Sequence, residues 1–292
     1  MFELILQTLV NVVVASSFAA LFAVGLVLIF GIMRVCNFAH GEIYMAGAYT
    51  VWFVFSYQAL PYLAAVAIAT IVTVAIGLLL EVLLFRWKRS DMMGGLLLSV
   101  GALFILQTIA IYLFGLGLMK NIAPPYPGAW QIFGLDRVSV DHQRLVVLGF
   151  TASLLALFWL FLHRTKLGFA LRACANDPDA AALQGISINR MALVAMALSA
   201  GMAGVAGAVM APLVVINPFM GESVIIMAFI IIIVGGTGSL EGAVLAAILY
   251  TFFVTFVTTF VDGETARILG LVIMLIVLVV KPSGLLASRE KV

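Results

Sequence analysis

Leu4-Ile-Leu-Gln-Thr-Leu-Val-Asn-Val-Val-Val-Ala-Ser-Ser-Phe-Ala-Ala-Leu-Phe-Ala-Val-Gly-Leu-Val-Leu-Ile-Phe-Gly-Ile32 is an apolar run with length to spare for crossing a bilayer. About 20 apolar residues span the roughly 30 Å hydrocarbon core, and a helix satisfies its own backbone hydrogen bonds there. Eight further apolar stretches follow, at about 43–57, 62–85, 94–114, 143–162, 191–215, 222–236, 240–260 and 266–280. The sequence therefore predicts an all-α polytopic membrane protein of about nine transmembrane helices, within a range of roughly eight to ten. It is read as a single transmembrane domain over residues 1–292. The stretches at 43–57, 222–236 and 266–280 fall short of a full span. They are candidates for half-helices, steep segments or spans delimited too narrowly.

Composition points the same way. The chain is 65% hydrophobic and 10% charged, with a mean hydropathy of +1.25. A soluble domain carries roughly a quarter charged residues and under half apolar. The net charge of +2 and the lack of a basic run argue against nucleic acid as a partner. The first residues, Met-Phe-Glu-Leu-Ile-Leu, lack a basic segment and a small-residue cleavage site, so they read as mature sequence.

Lysines and arginines set the orientation. Arg34, Arg86, Lys88, Arg89, Arg164, Lys166, Arg172, Arg190, Lys281, Arg289 and Lys291 lie in one set of loops; Lys120, Arg137, Arg144 and Arg267 lie in the other. The richer set is expected in the cytoplasm, with the C-terminus. Cys36 and Cys174 then both face that side, where a disulfide is not expected. The outer loop, about 115–142, carries Pro124, Pro125 and Pro127 with Tyr126, Trp130 and Phe133, which suits extended structure and the membrane interface. The inner loop, about 163–190, contains Asn176-Asp177-Pro178, a helix-start signal. It predicts a short helix from about 178 to 184 that stops at Gly185, a compact charged element suited to docking.

Polar clusters break the apolar pattern at two related places. Asn37-Phe38-Ala39-His40-Gly41-Glu42 is echoed by Asn217-Pro218-Phe219-Met220-Gly221-Glu222, and each precedes an apolar stretch. On this topology the copies lie at opposite faces, as an inverted repeat requires, and transporters are often duplicated in this way. Spacing alone leaves two readings of the first cluster. One is an interrupted helix whose Asn37, His40 and Glu42 face a pathway; the other is an interfacial turn bent at Gly41, with Glu42 in a first helical turn. For the second cluster, Asn217 and Pro218 read as an N-cap and first-turn pair. An exposed helix start there would attract a substrate carboxylate.

The remaining features read as structural. Gly235-Gly236-Thr237-Gly238-Ser239 predicts a tight turn between helices, with Glu241 in the first turn of the next. The chain contains no Gly-x-x-x-x-Gly-Lys-Ser/Thr, so it has no ATP site of that kind. Gly201, Gly204 and Gly207 form a small-residue face, expected first in internal packing and second in a dimer interface. Glu81 is expected to form an interfacial ion pair or to snorkel. His40, His142 and His163 are scattered; neither a catalytic constellation nor a metal site is expected.

Residues 25–49, from Gly25 through Asn37-Phe-Ala-His-Gly-Glu42 to Tyr49, resemble the signature of the branched-chain amino acid permease family. The segments Thr165–Ile186 and Gly221–Gly242 resemble it at matching places, so the likeness covers nearly the whole chain. The resemblance implies the shorter of two paired permeases in an ATP-binding-cassette importer. Its partners would be a second permease, expected as a different chain, two cytoplasmic ATPases and a periplasmic substrate-binding protein. The setting would be a bacterial inner membrane, with ATP bound by the partner subunits and no cofactor in this chain. It places Asn37, His40, Gly41 and Glu42 near the translocation pathway, with Asn217, Gly221 and Glu222 as the echoing set. It also makes the inner loop the coupling element. Asp179-Ala180-Ala181, with Gly185 four positions on and Asp177 just before, is similar to the Glu-Ala-Ala-x-x-x-Gly pattern of importer permeases, with Asp in place of Glu. Substrates expected are leucine, isoleucine and valine, with urea, amides or other small amino or carboxylic acids as alternatives. A stand-alone secondary transporter or channel is the competing class, and it would need intramembrane ionisable coupling groups.

Overall fold

A computed structural model describes residues 1–33, 35–88, 91–116, 119–131, 138–236, 238–281 and 284–286. Arg34, Arg89, Phe133, Arg137, Thr237, Arg289 and Lys291, which entered the sequence reading, lie outside the described residues. In chain order the helices are α1 (Phe2–Met33), α2 (His40–Val51), α3 (Tyr62–Leu83), α4 (Met92–Phe114), α5 (His142–Arg164) and α6 (Lys166–Asn176). They continue with α7 (Pro178–Leu183), α8 (Ile188–Met210), α9 (Met220–Gly235), α10 (Leu240–Phe260) and α11 (Gly263–Val280). A π-helical turn, Trp52–Tyr57, prolongs α2. Between α4 and α5, β1 (Ala129–Gln131) and β2 (Ser139–Asp141) form an antiparallel pair with Trp130 opposite Val140.

Each of the nine apolar stretches has its helix, and the chain is an all-α polytopic membrane protein. Among the described residues seven helices (α1, α3, α4, α5, α8, α10 and α11) are long and apolar enough to cross a membrane, fewer than the about nine spans expected. The stretch expected at 266–280 was delimited too narrowly: α11 begins at Gly263, where Asp262 caps it by accepting from the Thr265 N–H at 2.8 Å and the Thr265 hydroxyl at 2.6 Å. α2 and α9 are the short ones, at 12 and 16 residues.

Burial sorts the helices. Of the most apolar window of α1, 83% is buried, and of α8, 72%; for α11 the figure is 11%. Thus α1 and α8 form the centre, and α11 shows its apolar surface to the surroundings. The small residues of α8 serve internal packing. A Cβ on Gly47 in α2 would fall 3.0 Å from Gly204 Cα, and Gly207 lies against the Tyr44 backbone. Such contact needs both helices to lack side chains there. Near one end of the bundle Gln143 donates to the Tyr62 hydroxyl (3.0 Å) and to Val209 O (3.2 Å), tying α5, α3 and α8 together. At the other end Glu81 is fully buried in α3, not snorkelling at a surface.

The turn between α9 and α10 matches expectation. Gly236 (φ 108°) and Gly238 (φ 118°) both take left-handed backbone, the Ser239 hydroxyl caps the Gly242 N–H at 3.0 Å, and Glu241 stands in the first turn of α10.

Candidate functional site

The first polar cluster is at depth, not at a rim. His40 opens α2, its ring 4.5 Å from that of Phe22, with Nε2 donating to Phe22 O at 3.3 Å. That carbonyl only accepts, so Nδ1 is left to accept from the Ser199 hydroxyl at 3.4 Å. Phe22 lies well inside α1 and Ser199 near the middle of α8. After α1 ends at Met33 the chain therefore doubles back and starts α2 about halfway along the bundle. Asn37, His40 and Glu42 are all fully buried. The turn ahead of α2 therefore lies inside the bundle and not at an interface.

The second cluster arrives from the opposite end. After α8 the chain pairs with the loop between α4 and α5, Lys120 and Ile216 exchanging backbone hydrogen bonds at 2.9 Å. Asn217 Oδ1 accepts from the Phe219 N–H at 3.0 Å, and Asn217 O from the Met220 N–H at 3.2 Å. Asn217 thus closes a turn ahead of α9 instead of capping it, and Phe219 takes the N-cap position. The helix is displaced two residues along because Pro218 is spent inside that turn. Several N–H groups that would draw a carboxylate are engaged by the chain itself, including that of Glu222 with Phe219 O.

The two clusters, expected at opposite faces, meet. Their connections enter from opposite ends, but both helices start at mid-depth and their first turns touch. A Cβ on Gly41 would lie 2.5 Å from Gly221 O, and one on Gly221 would lie 2.6 Å from Gly41 C and O. No residue larger than glycine fits without moving a backbone. Beyond the glycines, Gln107 of α4 donates through Nε2 to Glu42 Oε1 at 3.2 Å and to Glu222 Oε1 at 3.0 Å. Glu42 is sealed inside while Glu222 is exposed at the edge of the chain. Gln107 was missed by the sequence reading. Its signal was an amide in the middle of an apolar stretch, a group that needs a partner in hydrocarbon.

The loop at about 163–190 folds into α6 and α7. Asp177 Oδ1 caps α7, accepting from the N–H groups of Asp179 and Ala180 at 3.0 Å each, and Gly185 takes φ +81° just past its end. Asp179 and Ala180 are exposed, Ala181 is buried, and Leu183 stands out at 88% exposure. Beside them an open cleft of about 520 Å³ is lined by Arg86, Trp87, Ala182, Ile186 and Ser187. α6 was not foreseen; it is held by Gly168 lying against the backbone of Leu162 and by buried Leu171 and Cys174.

Interrupted helices whose starts meet inside an apolar bundle recur in membrane transporters. The family model described as "Branched-chain amino acid transport system / permease component" matches residues 8–278, and the chain belongs to that family. It is 31% identical to the high-affinity branched-chain amino acid transport system permease protein BraD of Pseudomonas aeruginosa, over 98% of this chain and 96% of that one. With LivH of Escherichia coli, named in the same words, identity is 28% over the same shares of the two chains. LivM of Escherichia coli, also a permease protein of such a system, is 27% identical over 95% of this chain and 69% of its own length. No solved structure matches.

Proposed function

We propose that the chain is the shorter permease subunit of an ATP-binding-cassette importer that moves leucine, isoleucine and valine into a bacterial cytoplasm by alternating access. The observation that carries this reading is the end-to-end likeness to branched-chain amino acid permeases. That Escherichia coli has both LivH and LivM, and that this chain covers nearly all of the first but only 69% of the second, supports a different, longer chain as the second permease.

The remaining partners are two cytoplasmic ATPases, which bind and hydrolyse the ATP, and a periplasmic substrate-binding protein. The importer sits in the inner membrane with the C-terminus and the α6–α7 end in the cytoplasm. An ATPase moves a permease only through a stiff element that it grips. Capped α7, with exposed Asp179, Ala180 and Leu183 beside an open cleft, has that form. Asp177, Asp179, Ala180, Ala181 and Gly185 make up the coupling element. Asn37, His40, Gly41, Glu42, Asn217, Gly221 and Glu222 flank the pathway, and rocking of the bundles would open the crossing of α2 and α9 to one side and then the other.

The test is a mild-detergent purification from the native host, with mass spectrometry of everything that travels with the chain. Two ATPases and a sister permease are expected. A chain that comes away alone, or only with copies of itself, would make it a self-sufficient transporter and end the coupling-element assignment.

A further inference from the structure

On the importer reading above, we propose that Glu42 and Glu222, bracketing the Gln107 amide where α2 and α9 cross, form the subsite that receives the ammonium group of a zwitterionic amino acid.

Two carboxylates share one neutral donor. Gln107 Nε2 supplies one hydrogen to Glu42 Oε1 and the other to Glu222 Oε1, at 3.2 and 3.0 Å. Each carboxylate accepts at several further positions, and Glu42 Oε2, on a fully buried side chain, has no hydrogen-bond partner among the described residues. Neither carboxylate is ion-paired with a lysine or arginine among the described residues. Burial in an apolar bundle disfavours a second charge beside the first, and a cation placed between the two carboxylates would favour the ionised pair more strongly than it would in water. A primary ammonium suits the place: it is compact, positively charged and offers three donors.

Access and surroundings agree. Glu222 is exposed at the edge of the chain, and Glu42 is buried behind it. The first turn of α9 has engaged the N–H groups of Phe219, Met220 and Glu222 within the chain, which leaves its carboxylate, not its helix dipole, as the dominant charge. The end of the substrate that this crossing draws is therefore the cationic one. Ile225, whose Cβ would lie 3.1 Å from a Cβ at Gly41, places apolar surface beside the crossing.

The experiment reconstitutes the complete importer, with receptor and ATPases, in proteoliposomes and follows uptake of radiolabelled leucine together with ATP hydrolysis. Glu222 is exposed, so its variants leave the core intact. Glu222→Gln keeps the shape and removes the charge; leucine uptake is expected to fall at least about tenfold, the worth of one charge-assisted hydrogen bond. Glu222→Asp keeps the charge and shortens the arm, and is expected to transport better than Glu222→Gln. Uptake by Glu222→Gln equal to wild type, or Glu222→Asp as poor as Glu222→Gln, overturns the ammonium subsite and leaves the importer assignment standing. A wild-type complex that takes up no leucine overturns the importer assignment itself.

Discussion

Gly41 and Gly221 meet backbone to backbone where two interrupted helices cross, so tightly that a methyl group on Gly41 would lie 2.5 Å from the carbonyl oxygen of Gly221. The contact joins residues 180 positions apart in sequence, counted from their numbers, and sets Glu42 and Glu222 on either side of Gln107.

Gly41→Ala and Gly221→Ala are each expected to push α2 and α9 apart. Overpacking of this kind costs about 1–3 kcal/mol, and transport should fall with it. Gly101→Ala in α4 is the control, because nothing lies within 4 Å of the added methyl; a helical Gly→Ala there should be neutral or stabilising by up to about 1 kcal/mol. Thermal unfolding of the detergent-solubilised complex, followed by tryptophan fluorescence, ranks the three. Equal midpoints for all of them would refute the close crossing.

Gln107→Leu removes the donor that both carboxylates share while keeping the helix apolar. Leaving the buried Glu42 acceptor unpaired costs about 1–3 kcal/mol, so the variant should unfold earlier and transport poorly. Gln107→Asn, with a shorter reach, should fall between it and wild type. Wild-type midpoints and uptake in both variants would show that the amide bridge carries no weight.

Asn37→Leu separates stability from function. Asn37 is fully buried, and neither its Nδ2 nor its Oδ1 has a partner among the described residues. An apolar replacement of a buried, unpartnered amide should leave the fold unharmed or slightly stabilised. Uptake is nonetheless expected to drop with assembly intact, because the pathway reading needs that polar group. Uptake at the wild-type level would return Asn37 to a purely structural part.

Asp179→Lys reverses the charge on the exposed face of α7 without touching its cap. Uptake should be lost while the chain stays inserted and ATP is still hydrolysed. Asp177→Ala removes the cap instead, a loss of about 1 kcal/mol, and should weaken uptake partially. Membrane-fraction immunoblots beside uptake assays distinguish the two, and normal uptake by Asp179→Lys would remove α7 from the coupling element.

Much of the fold was legible because the bilayer imposes a one-dimensional code: each of the nine apolar stretches has a helix among the described residues, although only seven are long enough to cross. Asp177 and Pro178 announced α7 because a cap is local chemistry, settled within three residues. Depth was not legible. The pattern from Asn37 to Glu42 is the same string whether the turn lies at the rim or doubles back beside Phe22, and only the His40 contacts with α1 and α8 decide. Gln107 escaped notice because its partners stand 65 and 115 residues away. α6 escaped because an amphipathic inner-loop helix leaves no long apolar run, and Asn217 misled because an Asx turn and an N-cap use the same side-chain chemistry.

The most direct measurement of the central claim is uptake of radiolabelled leucine, isoleucine and valine by the native host with this chain deleted, then restored. The account predicts that high-affinity, ATP-dependent uptake of all three is lost on deletion, returns with the wild-type chain and does not return with Asp179→Lys. Unchanged uptake on deletion, with another small solute affected in its place, would contradict the branched-chain amino acid assignment.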